Sequence, residues 1–154
     1  MNIIIYFIGG FNLDNITYHS FCKDDCQEVL DLWGNIPGIL LHINGEDSID
    51  GIIAYLERNP NFSHIAKHNS KIIGTVMCGH DGRRGFIYHL AVDKQFRNMG
   101  IGKTLLQMSL EKLKQINIKK CLLFVTKGNT DGEAFYKSLQ WQEEDVVKVY
   151  AKIL

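Results

Sequence analysis

Apolar and polar residues alternate in several stretches of the chain, and this two-residue period is typical of strands with one buried face. The turn residues Asn69 and Ser70 separate residues 62–67 from residues 71–79, and the two segments together predict a hairpin. A continuous apolar run at residues 121–125 is bounded by polar residues and predicts a buried central strand. Strands are predicted at residues 16–21, 62–67, 71–79, 86–92 and 146–153, of which the first and the last alternate.

Other stretches place apolar residues three and four positions apart, which is the spacing of a helix with one buried face. Ser48 is a good N-cap for one of them, because its hydroxyl can accept a hydrogen bond from a free backbone amide. Helices are predicted at residues 24–34, 49–58, 100–115 and 130–139. Strands and helices mix along the chain without an internal repeat, which favours a single α/β (α+β) domain spanning residues 1–154.

The start of the chain is mostly apolar between Met1 and Phe11. This stretch is too short to span a bilayer, which takes about 20 residues, and it lacks the basic start and cleavage site of a signal peptide. Residues 1–14 are therefore predicted to form an extra edge strand or an N-terminal extension. No membrane partner is expected, and the predicted location is the cytoplasm.

Composition and charge narrow the classes of function. Hydrophobic residues make up 45% of the chain and charged residues 22%, which is ordinary for a globular protein. The 17 Lys and Arg residues balance the 17 Asp and Glu residues, so no net field favours a nucleic acid. The four cysteines lack paired C-x-x-C spacing, which indicates neither a zinc ribbon nor a disulfide framework.

Two further groups of side chains carry weak chemical signals. His64 and His68 are four residues apart, which would align them on a helix, but their segment is predicted as strand and turn. No metal is therefore expected. Cys121 opens an apolar strand with no evident His-Asp partner, which favours a structural thiol over a nucleophile.

The most informative unit is a predicted strand followed by a glycine-containing loop and a helix. The loop is Arg97-Asn98-Met99-Gly100-Ile101-Gly102, followed by Lys103 and Thr104. Its glycines let the backbone come close to a ligand, and the free amides of a helix start carry about half a positive charge. Arg97 and Lys103 add cationic groups. The loop therefore predicts an anion site suited to phosphate, although a Gly-x-Gly at a helix start also suits a purely structural turn.

Two other kinds of phosphate-binding loop share part of this pattern. Gly102-Lys103-Thr104 copies the end of the G-x-x-x-x-G-K-[ST] loop, but Arg97 stands where the first glycine is required. A dinucleotide loop would need glycine at Leu105 and a strand-turn-helix unit near the N-terminus. The sequence therefore departs from both of these loop patterns.

The loop resembles the [RQ]-x-x-G-x-[GA] signature of the GNAT superfamily of acyl-CoA-dependent N-acyltransferases, which follows a strand ending in leucine-x-valine. Here that strand ends in Leu90-Ala91-Val92. Asn129 followed by Ala134-Phe135-Tyr136-Lys137-Ser138-Leu139 is similar to the family's asparagine and phenylalanine-tyrosine helix. Residues 73–85 look like the small bacterial YpeA-type acetyltransferases in particular.

The resemblance implies a mixed, mostly antiparallel central sheet of six to seven strands flanked by about four helices. It also implies that acetyl-coenzyme A is the co-substrate, with its pyrophosphate on the amides of residues 98–103. Pantetheine would lie where the strand ending at Val92 splays from the next parallel strand. The expected coenzyme-binding residues are Leu90, Ala91, Val92, Arg97, Asn98, Met99, Gly100, Ile101, Gly102, Lys103, Thr104, Asn129 and Tyr136.

The implied chemistry is direct attack of a neutral amine on the thioester carbonyl. Tyr136 is the expected general acid, which gives its proton to the departing thiolate sulfur. The general base stays open, because no carboxylate stands at residues 86–89. His89 is one candidate, but strand alternation would place it on the opposite face from Tyr88 and Leu90, which favours a structural histidine. Water held by Tyr88 is the other.

The expected function is therefore N-acetylation of a primary amine on a small molecule or a peptide. The alternative is a non-catalytic acetyl-CoA-binding sensor or partner-binding module, motivated by the missing carboxylate. The acceptor would be selected by loops such as residues 36–45. The apolar N-terminus and the closing strand offer edges through which two copies could pair as a homodimer.

Overall fold

The computed structural model describes residues 15–154. One compact unit extends to Phe124, and Val125–Leu154 form a second. The strands are β1 (Ile16–Ser20), β2 (His64–His68), β3 (Lys71–His80), β4 (Gly85–Val92) and β5 (Cys121–Leu123). The α-helices are α1 (Cys26–Gly34), α2 (Ile49–Arg58), α3 (Ile101–Gln115) and α4 (Thr130–Ser138), of which α4 lies in the second unit.

The strands form one sheet in the order β1-β2-β3-β4-β5. The first four strands are antiparallel to their neighbours, and β4 and β5 are parallel. A mixed, mostly antiparallel sheet is thereby confirmed. The predicted hairpin is β2 and β3, whose turn residues Asn69 and Ser70 both have left-handed backbones, with φ of 48° and 69°.

Helices α1 and α3 cover opposite faces of this sheet. Gly74 and Thr75 are consecutive on β3 and therefore point to opposite faces. On one face, Trp33 of α1 donates its indole N–H to the Thr75 hydroxyl at 2.7 Å. On the other, a Cβ added to Gly74 would lie 3.1 Å from the side chains of Ile101 and Leu105 in α3.

Helix α2 lies on the same face as α1. A Cβ added to Gly79, which shares the face of Thr75, would lie 2.6 Å from the Tyr55 hydroxyl of α2. Burial of apolar surface between these helices and the sheet stabilises the fold. The buried core on this face comprises Phe21, Cys26, Val29, Leu32, Trp33, Ile52, Ile65, Ile72, Met77 and Ala91.

The helices confirm the predicted number of about four, and α2 has the predicted bounds. The Ser48 hydroxyl accepts the Gly51 amide at 3.1 Å, so the predicted N-cap is present. Helix α1 begins later than predicted, because residues 23–25 form a short 3-10 helix before it. Capping and helical periodicity depend on neighbours along the chain, which explains why these bounds could be predicted closely.

The predicted six to seven strands are not matched, since the described residues contain five. Residues 1–14, with the predicted edge strand or extension, lie outside the described part. The predicted closing strand at 146–153 is wrong: these residues form no strand, and Val146 and Tyr150 are largely exposed. Alternation gives a strand only where a partner strand completes its hydrogen bonds.

The apolar run at residues 121–125, predicted as a buried central strand, is a strand only in part, and its predicted length and central position are wrong. Strand β5 covers only Cys121–Leu123, is half-buried, and is the last strand in the sheet order of the described residues. A continuous apolar run reports burial on both faces, but it does not specify how many neighbouring strands flank it.

Candidate functional site

The loop between β4 and α3 ends in a helix start that no side chain caps. Gly100 is the N-cap of α3, with φ 80° and ψ 0°, in the left-handed region that glycine adopts without steric cost. The first α3 bond is from the Thr104 amide to the Gly100 carbonyl, at 3.0 Å. Helix geometry leaves the amides of residues 101–103 without an intrahelical acceptor. These amides form a site that favours an anion.

Helices α2 and α4 show the contrast, because a side chain caps each of them. In α2 the Ser48 hydroxyl takes the Gly51 amide, and in α4 the Asn129 side chain takes the Gly132 amide at 3.0 Å. Gly100 has no side chain that could do the same for α3. The start of α3 is therefore open to an external acceptor.

The side chains of this loop are held in different ways. Phe96 is buried and anchors the loop, whereas Arg97 and Lys103 are exposed. Arg97 Nε donates to the Val92 carbonyl at 3.2 Å, which uses one of the five N–H donors of a guanidinium group. The Thr104 hydroxyl donates back to the Gly100 carbonyl at 3.1 Å. Both cationic side chains therefore remain accessible beside the helix start.

Strand β4 loses its parallel neighbour part of the way along. Its register with β5 pairs Gly85 with Cys121 and ends with Ile87 opposite Leu123. Beyond that point β4 continues to Val92 paired only with β3 in the described residues. One edge of the stretch 88–92, which contains the predicted residues Leu90, Ala91 and Val92, therefore has backbone groups with no strand partner there.

The same stretch of β4 contains a β-bulge. Tyr88 pairs with Met77 and Ala91 with Thr75, so β4 has one residue more than β3 between these pairs. His89, within this interval, has φ 46°, a left-handed value that is uncommon for a residue other than glycine. Bulges of this kind redirect side chains and are frequent beside functional sites.

The bulge overturns the predicted orientation of His89. The Tyr88 ring lies 6.0 Å from the Tyr55 ring of α2, and the His89 ring lies 4.6 Å from the Trp33 ring of α1. Since α1 and α2 cover the same face, Tyr88 and His89 both point to that face. The prediction that alternation would separate them is wrong, because the extra residue interrupts the two-residue period.

His89 is paired with a carboxylate that the sequence did not reveal. His89 Nε2 lies 2.7 Å from Asp47 Oδ1, and the two side chains are only 18% and 5% exposed. The second oxygen, Asp47 Oδ2, accepts the His42 amide at 2.8 Å. Asp47 and His89 are 42 positions apart. Asp47 lies outside β4, and no local signal in the sequence indicates that it contacts His89.

Tyr88 lies at the open part of β4 among other aromatic rings. It is 37% exposed, and partial burial raises the pKa of its hydroxyl. Its ring stacks with Phe86 at 6.4 Å and lies 6.2 Å from Phe124. Nearby, the Tyr55 hydroxyl is buried without a hydrogen-bonding partner, and burial raises its pKa as well.

In the second unit, Tyr136 lies on α4, where Asn129 is the N-cap. Its ring makes edge contacts with Phe135 at 5.2 Å and Trp141 at 5.9 Å. Burial raises the pKa of Tyr136 to about 12. The hydroxyl therefore holds its proton at neutral pH, as a proton donor must.

The remaining candidates have structural surroundings. Burial raises the pKa of the Cys121 thiol to about 12, which keeps it in the unreactive thiol form. His64 is buried in β2, with Nδ1 3.2 Å from the Ser109 hydroxyl. In residues 15–154 no three His, Cys, Asp or Glu side chains are grouped so that they could hold a metal ion. Nor is any helix in that range long and apolar enough to cross a membrane.

Comparison with known proteins identifies relatives along most of the chain. Residues 27–141 match the family model described as "Acetyltransferase (GNAT) family". An acetyltransferase from Pectobacterium atrosepticum is 30% identical over 134 residues, which cover 87% of this chain and 93% of that protein.

Solved structures share the fold at lower identity. The PaiA N-acetyltransferase from Thermoplasma acidophilum, in complex with coenzyme A, has a TM-score of 0.70 and 19% identity, covering 80% of this chain and 87% of that one. An aminoglycoside acetyltransferase from an uncultured soil metagenomic sample, in complex with sisomicin, has a TM-score of 0.70 and 18% identity, covering 92% and 98%.

Proposed function

The chain belongs to the GNAT acetyltransferase family, and from this premise we propose that it transfers the acetyl group of acetyl-CoA to a primary amine. The acceptor is a small molecule or a peptide, and the amine attacks the thioester directly. One observation carries the proposal: the uncapped start of α3 follows the stretch of β4 that has no β5 partner. An anion site and a strand edge without a β5 partner thus lie along one continuous segment.

Each part of that segment suits one part of the coenzyme. The free amides at the start of α3, with Arg97 and Lys103 exposed beside them, suit the negatively charged pyrophosphate. The unpaired edge at residues 88–92 suits the amide groups of pantetheine, which need backbone partners. A backbone N–H on this edge would also stabilise the oxyanion of the tetrahedral intermediate.

The proposed reaction needs two proton transfers, one to the sulfur and one from the amine. Tyr136 would donate to the departing thiolate, and its raised pKa of about 12 keeps the donor protonated until the sulfur leaves. His89 or water held by Tyr88 would accept the amine proton. The protein would accelerate the attack by holding acetyl-CoA and the amine together, because a reaction within one complex then replaces a bimolecular encounter.

The test is an acceptor screen that measures release of free thiol. The protein is incubated with acetyl-CoA and, separately, polyamines, aminoglycosides, small primary amines and peptides with free N-termini, with protein-free mixtures as controls. Thiol release that depends on one acceptor class, together with mass spectrometry of the acetylated amine, is the expected result.

A second measurement separates this function from the non-catalytic alternative. Acetyl-CoA should raise the melting temperature under either function, because a ligand that binds only the folded state stabilises it. Stabilisation without thiol release from any acceptor would contradict the proposal and support a sensor or partner-binding module. The predicted homodimer, the cytoplasmic location and the YpeA-type assignment stay predictions.

A further inference from the structure

We infer that Asp47 is a positioning residue, which holds His89 as the group that accepts the proton of the attacking amine. The inference rests on the proposed function and deepens it, because it assigns the base that the sequence left open. It starts from the 2.7 Å contact between His89 Nε2 and Asp47 Oδ1.

The carboxylate of Asp47 is held in place by contacts other than the one with His89. Its other oxygen accepts the His42 amide at 2.8 Å, within the same loop. Its side chain is 5% exposed, so little water competes for the contact with His89. The hydrogen bond from the His42 amide restricts rotation of the Asp47 carboxylate, which presents its other oxygen to the imidazole.

The ring and backbone of His89 are held from a second side. The Trp33 ring packs against the imidazole with 4.6 Å between centroids. Trp33 also donates to the Thr75 hydroxyl at 2.7 Å, and that hydroxyl donates to the His89 carbonyl at 3.3 Å. The left-handed backbone at His89, which costs conformational energy, is thereby kept in place.

The contact with Asp47 also selects a tautomer of the imidazole. An ionised carboxylate only accepts hydrogen bonds, so Nε2 of His89 carries the proton in this pair. In the neutral ring the lone pair is then on Nδ1. Among the described residues, none hydrogen-bonds to Nδ1. The buried side-chain polar atom that lacks a partner in residues 15–154 is the Tyr55 hydroxyl, so Nδ1 is not fully buried. The basic nitrogen is therefore within reach of solvent.

The position of His89 matches the task. It lies in the bulge of β4, directly before Leu90 and after the last β4 pair with β5 at Ile87. The proposed thioester carbonyl would be polarised by backbone groups of this same stretch. Tyr88, the other candidate, lies on the same face.

The proton balance of the step is simple. An ammonium first loses one proton, and the resulting amine nitrogen forms a bond to the thioester carbon. The carbon–sulfur bond then breaks, the nitrogen loses a second proton, and the sulfur gains one, so that amide, free thiol and one proton result. Nδ1 of His89 takes a proton from the nitrogen and returns it to solvent.

A purely structural reading of the pair is that it ties the loop before α2 to the sheet. His89→Gln distinguishes the two readings, because the glutamine amide can still donate to Asp47 but has no basic nitrogen. Asp47→Asn weakens the choice of tautomer while keeping the size of the side chain. Asp25→Asn is the matched control, since Asp25 forms a comparable pair with Lys67 at 2.9 Å on another strand.

The experiment measures kcat and KM by thiol release, acetyl-CoA affinity by calorimetry, and the His89 tautomer by nitrogen-15 NMR. We expect His89→Gln and Asp47→Asn each to lower kcat by about 100-fold or more, the usual contribution of general base catalysis. Acetyl-CoA affinity should stay within twofold, and Asp25→Asn should keep kcat within threefold. The double variant should be no slower than His89→Gln alone, because both changes disable one unit.

The spectrum of the unaltered protein should show His89 protonated at Nε2, and Asp47→Asn should shift it towards the Nδ1 form. A wild-type kcat in His89→Gln, or a His89 ring protonated at Nδ1 in the unaltered protein, would overturn this inference. Either result would leave the proposed function standing. If the unaltered protein released no thiol with any acceptor, the proposed function would fall, and this inference with it.

Discussion

The indole N–H of Trp33 donates to the hydroxyl of Thr75 across 2.7 Å, and both residues are completely buried. This bond joins α1 to β3 in the interior of the first unit. Because the Thr75 hydroxyl also donates to the His89 carbonyl, the bond connects the helix to the bulge of β4. The packing of the core and the shape of the candidate site thus depend on the same hydroxyl.

Thr75→Val should lower the free energy of unfolding by about 1 to 3 kcal/mol, since it leaves the buried Trp33 N–H without an acceptor. Urea unfolding measures the change. Trp33→Phe in the Thr75→Val background removes the orphaned donor, so the double variant should lose less than the sum of the two single changes. Strict additivity would contradict a direct interaction between the two side chains.

Gly100→Ala should weaken acetyl-CoA binding by roughly tenfold, because φ 80° strains any residue with a Cβ and shifts the amides at the start of α3. Calorimetric titration with acetyl-CoA measures the effect. Gly82→Ala is the matched control: Gly82 has φ 88° and, like Gly100, open space around an added Cβ. Both variants should lose about 1 kcal/mol of stability. Equal coenzyme affinity in the two would remove Gly100 from the site.

The buried His64 should make the free energy of unfolding depend on pH. Burial, and next the charge of Lys112, lower the pKa of His64 below the ordinary 6.5. Below about pH 6.5 the unfolded chain therefore binds a proton that the folded chain does not, so the free energy of unfolding falls as pH falls. His64→Asn keeps a donor for Ser109 without titrating. Urea midpoints between pH 7 and 5 should fall less steeply in this variant; equal slopes would contradict the assignment.

Tyr136→Phe should slow turnover by about 100-fold while acetyl-CoA affinity stays nearly unchanged, because the ring packing survives and only the proton donor is lost. Steady-state thiol release and calorimetry measure the two quantities. Tyr150→Phe, at an 88% exposed tyrosine of the same unit, is the control and should turn over normally. Unchanged turnover in Tyr136→Phe would take this residue out of the mechanism.

Much of the fold could be predicted from local patterns. The bounds of α2, the Ser48 cap and the hairpin of β2 and β3 follow from residues within a few positions of one another. The closing strand at 146–153 failed because strand formation needs a partner, which alternation along one segment does not supply. The predicted length of β5 was wrong for the same reason.

The sequence by itself determined the glycine loop, the helix that follows Gly100 and the membership of the acetyltransferase family, because each depends on short motifs of neighbouring residues. Only the tertiary structure decided where His89 points and what holds it. One extra residue in β4 reversed the face predicted by alternation, and the fold brought Asp47 to His89 from 42 positions away. Spacing along the chain carries no information about such a contact, because the register and the path of the loop set the distance.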